Sequence, residues 1–429
     1  MRILYVGHGR YRTNWGARAT STALHDLLAT TNTISGVIES AAKDANYVRI
    51  LSFPPFSNGL LKKIDSKNPR VFNFLSRVAR KAGVKIGVVD YINENIDKSI
   101  NNFYKRKDKY PELAAIYKMV QECDAVVLNG EGSFIFKTPA RRDALFFLFI
   151  LKLAITLGKK AYYLNAIISD CPVTGRNMRV VNPMMELFKS CKFITLRDPL
   201  SYRELNDIAK TPNSKYIPDA LFSWYKHFEN RKHLPVNAKE IILNKTNKLL
   251  LHDLDFSKPY ICISGSSLAA WNKNKATPAY EILVNKLKST GIQVYIVPTC
   301  HGDSFLNIIG KKSNTPVNPL EIDILTGGAI LANAAVFVSG RYHPSILASL
   351  GGTPCVFMGS NSHKIVSLQE MLGYTDIKEY AAIPTERDID NILADVISLI
   401  KQGKERRDVI FNNVKQLADK AREISLLVR

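Results

Sequence analysis

The sequence holds only six cysteines, and no two of them stand in a CxxC pair. Cys262 and Cys355 sit inside apolar, strand-like runs, where cysteine acts as a small hydrophobe. The spacing excludes a disulfide framework and a zinc site, and it fits a reducing compartment. Long hydrophobic runs are missing too. The most apolar, Ala144 to Leu151, is closed by Lys152 and falls well short of the roughly 20 residues a membrane span needs. A buried helix is the expectation there. Met1 to Gly7 is too short and too soon interrupted for a signal peptide, so a cytoplasmic protein is expected. Gly7-His8-Gly9 does not make a dinucleotide fingerprint, because Arg12 stands where the third glycine would fall. There is no nucleophile elbow, no paired metal-ligand spacing and no solenoid repeat. Acidic residues are scarce: 38 Asp and Glu face 59 Lys and Arg, a formal charge of +21. That surplus favours anionic small molecules, phospholipid surfaces or nucleic acid, and composition alone does not choose among them.

What is present is a repeated strand–helix alternation. At 429 residues the chain is too long for one ordinary core. Strands are expected at Arg2–Val6, Asp124–Asn129, Lys160–Leu164, Lys192–Leu196 and Lys215–Ile217, with helices between most of them. A second series has strands at Tyr260–Ser264, Gln293–Val297, Val336–Ser339 and Cys355–Met358. This pattern predicts an α/β fold of two Rossmann-like domains with parallel sheets. The first domain covers residues 1–225, a polar Lys- and Asn-rich junction 226–258, and the second domain 259–429 with two closing helices. Lys62 to Lys85 carries eight basic residues against Asp65. It reads equally as a basic amphipathic helix on an anionic membrane and as a helix packed on the sheet.

The most informative stretch runs from Ala335 to Pro354. An apolar strand ends in Ser339-Gly340, and a helix is expected from Pro344, a residue suited to the first helical position. Arg341 and His343 stand in the joint, where a parallel sheet opens into its ligand crevice. Free helix N–H groups favour an anion there. Arg341 offers a bidentate fork for carboxylate or phosphate, and His343 a proton near neutral pH. The expected chemistry is acid–base work on an anionic substrate.

Several motifs, in order, resemble the polysaccharide pyruvyl transferase family. They are Asn14-Trp15-Gly16, the loop Leu128-Asn129-Gly130-Glu131-Gly132-Ser133, Leu196-Arg197-Asp198-Pro199-Leu200-Ser201 and Pro218-Asp219. In the second half come Val297 to Asp303, with His301-Gly302-Asp303, and the block Gly340 to Pro354 followed by Lys364. The resemblance implies two Rossmann-like domains facing a cleft, as in GT-B glycosyltransferases. It also implies transfer of pyruvate from phosphoenolpyruvate to two hydroxyls of one sugar, forming a cyclic ketal. Two departures stand on the acceptor side: Ala17 where the family often has an acidic residue, and Glu131 where it has glycine.

Roles follow from the chemistry of that donor. Arg197 and Arg341, each ending an apolar strand, would neutralise its carboxylate and phosphate. His343 would protonate the methylene carbon, a contribution of about 10²–10⁴-fold in rate for a positioned acid. A helix N-terminus disfavours imidazolium, so a bound anion or carboxylate has to restore that proton. Asp219 and Glu131 are the candidate bases for an acceptor hydroxyl, each weighed against a solvated carboxylate. Ser264, Ser266, His301, Ser345 and Lys364 are further donor-binding candidates; for the serines after the strand at Tyr260 an ordinary turn is equally expected. Asp303 reads equally as a helix cap, and Asp198 better as a cap than a catalyst. Asn14, Trp15 and Trp271 are acceptor-side candidates, with plain packing the alternative for both tryptophans. No metal or cofactor is required by this chemistry. The expected partners are phosphoenolpyruvate and a cell-surface glycan or its lipid-linked precursor, with peripheral contact to anionic membrane and no specific nucleic acid. Two other readings stand beside it: a GT-B glycosyltransferase using an anionic sugar nucleotide, and a non-catalytic polyanion-binding protein.

Overall fold

The computed structural model describes residues 1–40, 91–209, 211–235 and 255–429. The basic segment at 62–85 and most of the expected junction lie outside them.

Two parallel sheets form the frame. The first has the order β2-β1-β3-β4-β5-β6, from β1 (Arg2–His8), β2 (Thr33–Glu39), β3 (Ala125–Phe136), β4 (Lys160–Asp170), β5 (Phe193–Leu196) and β6 (Ser214–Tyr216). The second has the order β10-β9-β7-β8, from β7 (Tyr260–Ser266), β8 (Gln293–Ile296), β9 (Val336–Gly340) and β10 (Cys355–Phe357). Helices cover both faces, so the inner strands read as unbroken apolar runs such as Ile3–Val6 and Val336–Val338, all fully buried. The edge strand β2 escaped the sequence reading because it is only partly buried and carries Gly36 in its middle. The apolar run at 144–151 is the buried face of a helix, Arg142–Thr156.

Strands β3 and β4 outrun the expected segments. They continue together through polar Asn129–Ser133 and Asn165, with a register shift between Glu131 and Phe134. At the joint after β9 the helix starts at Tyr342, not Pro344, and Arg341 is its N-cap residue. Pro344 is tolerated as the third helical residue because the first four helical N–H groups have no partner in the helix.

The two lobes share one hydrophobic core, in which Trp15, Leu221, Tyr260, Phe337 and Ile346 all take part. The first helix, Trp15–Ala29, binds directly to the second lobe. Trp15 donates its backbone N–H to the Thr299 carbonyl at 3.0 Å and its indole N–H to Leu320 at 2.9 Å. The long helix Glu386–Arg422 breaks at Gly403, with φ 51°, where the sequence separates two helices. The last residues cross back onto the first lobe: Thr31 Oγ1 donates to the Ser425 carbonyl at 2.9 Å and Tyr162 to that of Arg429 at 3.1 Å. Among the described residues no helix is long and apolar enough to cross a membrane.

Candidate active site

Facing the second lobe are Glu131 and Asn165, within the irregular middles of β3 and β4, and Arg197 and Asp219, beyond the ends of β5 and β6. Asp219 is fully buried and collects partners from four segments. It accepts from Thr20 Oγ1 at 2.6 Å and from the Leu221 backbone N–H at 3.0 Å. Its other oxygen lies 3.2 Å from Arg197 Nη1 and 3.2 Å from His343 Nε2. Burial alone would raise this carboxyl; His343, Arg197 and Thr20 outweigh it and hold it far below the usual carboxylate range. Asn165, at φ 57°, orients the cluster by donating to Thr20 Oγ1 at 2.9 Å and to Asn129 Oδ1 at 3.3 Å.

His343 reaches this cluster from the helix after β9, with Arg197 Nη1 3.0 Å from its Nε2. Burial and the Arg197 charge lower the imidazole, against the pull of Asp219. Gly16 makes room for the ring, since a Cβ there would stand 2.4 Å from Nδ1. The glycine of Asn14-Trp15-Gly16 is therefore a close-approach glycine. Asn14 caps the helix by accepting from the Ala17 N–H at 3.0 Å, and Trp15 is fully buried, so the indole presents no free face to a sugar.

On the second lobe Arg341 pairs with Asp303 at 2.5 Å. Asp303 also accepts from the Thr299 N–H at 3.0 Å, so it positions the guanidinium and touches no open space. Lys364 bonds the Asn361 side chain. Burial first, then the charges of Arg197, Arg341 and Arg141, push its amine down to about 7. Charges of both lobes thus act on one lysine. Glu131, at φ 40°, is pushed up to about 7 by burial, against Arg12 and Arg197. It borders a cavity of about 40 Å³ that Arg12 and Arg141 also line. A non-glycine residue at such a φ is strained, and strain of this kind gathers at functional sites.

A second cross-lobe contact was not anticipated. His363 Nε2 lies 3.2 Å from Asp198 and 3.1 Å from Ser201 Oγ. Asp198 caps its helix through the Ser201 N–H at 2.8 Å, as its sequence context suggested. Thr20, Asn165, Arg141 and His363 carried no local signal, except that His363 adjoins Lys364. Other expected contacts fall elsewhere. Ser264 is buried, Ser266 closes the turn after β7 by donating to the Gly359 carbonyl at 2.7 Å, and Ser345 donates to the Arg341 carbonyl at 2.8 Å. Ser266 and Ser345 thus hold backbone together, while the buried Ser264 hydroxyl has no hydrogen-bond partner. His301 is exposed and lines a separate cavity of about 370 Å³ with Asn307, Lys311 and Glu321. Trp271 stands half-exposed at the rim, its ring 5.5 Å from Lys137 Nζ of the other lobe. Among the described residues no cluster could hold a metal ion.

The sequence profile described as polysaccharide pyruvyl transferase matches residues 37–362. The chain belongs to the polysaccharide pyruvyl transferase family. The matched stretch holds Glu131, Arg197, Asp219, Arg341 and His343, while Asn14-Trp15-Gly16 and Lys364 fall just outside it. No functionally curated protein matches the chain in sequence. Its architecture is similar to UDP-N-acetylglucosamine 2-epimerase from Rickettsia bellii, at 12% identity and TM-score 0.52, over 99% of this chain and 96% of that one. It is also similar to UDP-GlcNAc 2-epimerase from Neisseria meningitidis, at 11% and 0.53 over 98% and 99%. The spinosyn rhamnosyltransferase SpnG aligns at 10% and 0.50 over the full length of both chains. At such identities the likeness establishes the fold, GT-B, and nothing finer.

Proposed function

We propose that this member of the family moves pyruvate from phosphoenolpyruvate onto two hydroxyls of one sugar in a cell-surface glycan or its lipid-linked precursor. The observation that carries the reading is that Arg197 of one lobe meets His343 of the other at 3.0 Å, with Arg341 two residues before His343 and Lys364 feeling the charge of both arginines. A donor with a carboxylate and a phosphate on one carbon needs several cations, and a site with only one would bind half of it.

The chain's residues divide the work. Arg341, held by Asp303, and Arg197, held by Asp219, take the two anionic groups. His343 gives its Nε2 proton to the methylene carbon, leaving an oxocarbenium-like centre. Arrival of the anionic donor and the carboxylate of Asp219 favour the imidazolium that this step consumes. One sugar hydroxyl then bonds to that centre, and its proton passes to Glu131, a carboxylate held near the working pH. The carbon–oxygen bond to phosphate breaks and the proton collected by Glu131 passes to the leaving phosphate oxygen; the second hydroxyl closes the ring, and the neutral His343 takes its proton. The balance is one phosphate released per ketal formed.

Incubation with phosphoenolpyruvate and a panel of glycans tests this directly. Phosphate release with a ketal mass gain on one glycan is expected. Turnover of a sugar nucleotide with no phosphate released would overturn the reading in favour of a glycosyltransferase, the activity named for SpnG.

A further inference from the structure

At the mouth of the cleft three apolar side chains stand in water. Val173 is 65% exposed, Trp271 51% and Met178 48%. Val173 and Met178 come from one connection of the first lobe and Trp271 from the second, and they gather around Lys137, the residue that follows β3. The Lys137 carbonyl accepts from Asn177 Nδ2 at 3.0 Å, next to Met178. Thr138 N–H donates to Thr174 Oγ1 at 3.0 Å, next to Val173. The Lys137 ammonium lies over the Trp271 ring. A closed turn, with Gly175 N–H on the Cys171 carbonyl at 2.9 Å, holds Pro172 and Val173 outward.

We propose that this rim docks on an anionic lipid surface, so that the acceptor sugar enters the cleft on a lipid carrier. The inference rests on the pyruvyl-transfer reading for its use, though the lipid contact stands by itself. Valine and methionine tips offer a sugar no hydrogen bond, whereas a tryptophan beside lysines suits a headgroup boundary. The local charge agrees. Arg176 is neutralised by Asp170 and Glu204, and Arg179 faces Glu94. Lys273 and Lys275 follow Trp271 closely in the chain and add to Lys137 beside the apolar tips, and Lys273 Nζ donates to the Ser304 hydroxyl at 2.8 Å. They lie on a chain of formal charge +21. Lysines close to an anionic leaflet add attraction that fades within a Debye length. The contact lies on the face where the sheet strands end, so docking would turn the site toward the leaflet.

Co-sedimentation of the full chain with vesicles of phosphatidylcholine alone, or mixed with phosphatidylglycerol, tests the rim. Binding to the mixed vesicles and weak binding to phosphatidylcholine alone are expected. Val173→Asp with Met178→Asp should lower that affinity about tenfold or more, while phosphate release with a soluble sugar acceptor stays as in the parent. Absence of binding by the parent would overturn the proposal. So would unchanged binding by the double variant, which would put the contact on another basic part of the chain. Vesicle binding without any phosphoenolpyruvate turnover would sink the transfer reading and leave the lipid contact intact.

Discussion

Gly16 and His343 touch across the two lobes: a methyl built on Gly16 would stand 2.4 Å from the imidazole Nδ1 and 2.8 Å from the His343 Cβ. The imidazole cannot hold its place on Asp219 and Arg197 if that space is filled. Gly16→Ala is therefore expected to lower kcat/KM about 10²-fold, the scale of a small displacement of a reacting group. Overpacking should cost about 1–3 kcal/mol of stability. Circular dichroism and a steady-state phosphate assay check it; full turnover in a folded variant would refute the positional argument.

Asp303 holds Arg341 from a fully buried position. Asp303→Asn keeps the shape and removes the charge that fixes the fork. The KM for phosphoenolpyruvate should rise roughly tenfold or more, and Arg341→Lys should do at least as much harm because an ammonium cannot bond two oxygens in a plane. A donor titration at saturating acceptor measures both.

Glu131 and Lys364 both lie near pH 7 in the free protein. Glu131 must be ionised to take a hydroxyl proton, and Lys364 must be charged to hold the donor. The pH profile of kcat/KM should then be a narrow bell centred near 7. Glu131→Gln should lower the rate about 10²–10⁴-fold and erase the acid limb. Lys364→Met should remove the amine from the alkaline limb and leave the part set by His343, which must be protonated to act. A flat profile between pH 6 and 8 would contradict both roles.

Stability should fall on acidification through His343. Its folded-state pKa lies below the ordinary value of about 6.5, so the unfolded chain binds the proton first and stability drops as pH falls below that value. Asp219 has a carboxyl lowered in the fold, so its contribution is complete above about pH 3.9 and is lost only as pH falls below that. Glu131 works the other way between about 7 and 4.5. The difference between parent and His343→Gln isolates the histidine: on going from pH 7.5 to 5 the urea midpoint of the parent should move lower relative to that of the variant.

Asp219→Asn leaves Arg197 buried without its counter-charge, since the guanidinium is 2% exposed. A loss of about 3–5 kcal/mol is expected. Calorimetry beside a donor-binding assay would show both the lowered Tm and the lost affinity.

Much of this site could be read along the chain, and the reason is local. Arg341 and His343 stand where an apolar strand gives way to a helix, a joint whose geometry follows from neighbouring residues. Arg197 follows the same rule on the other lobe, whereas Glu131 lies inside β3, where the strand turns polar. The serines after β7 and the tryptophan at position 15 show the limit: a polar or aromatic residue beside a site looks alike in sequence whether it faces a ligand or the backbone. Thr20 and Asn165 are 145 residues apart and meet only because adjacent strands and a helix fold over one another. His363 joins Asp198 only because the lobes close.

By itself the sequence determined the alternation of strands and helices, the two sheets, and which joints carry cationic and proton-donating side chains. Periodicity and helix-end chemistry act over a few residues, so these features need no distant partner. Only the tertiary structure decided that Asp219 stands between Arg197 and His343, that Asp303 holds Arg341, and that charges of both lobes act on Lys364. Partners so far apart are chosen by the packing of whole lobes, and burial there sets the charge that each group can keep.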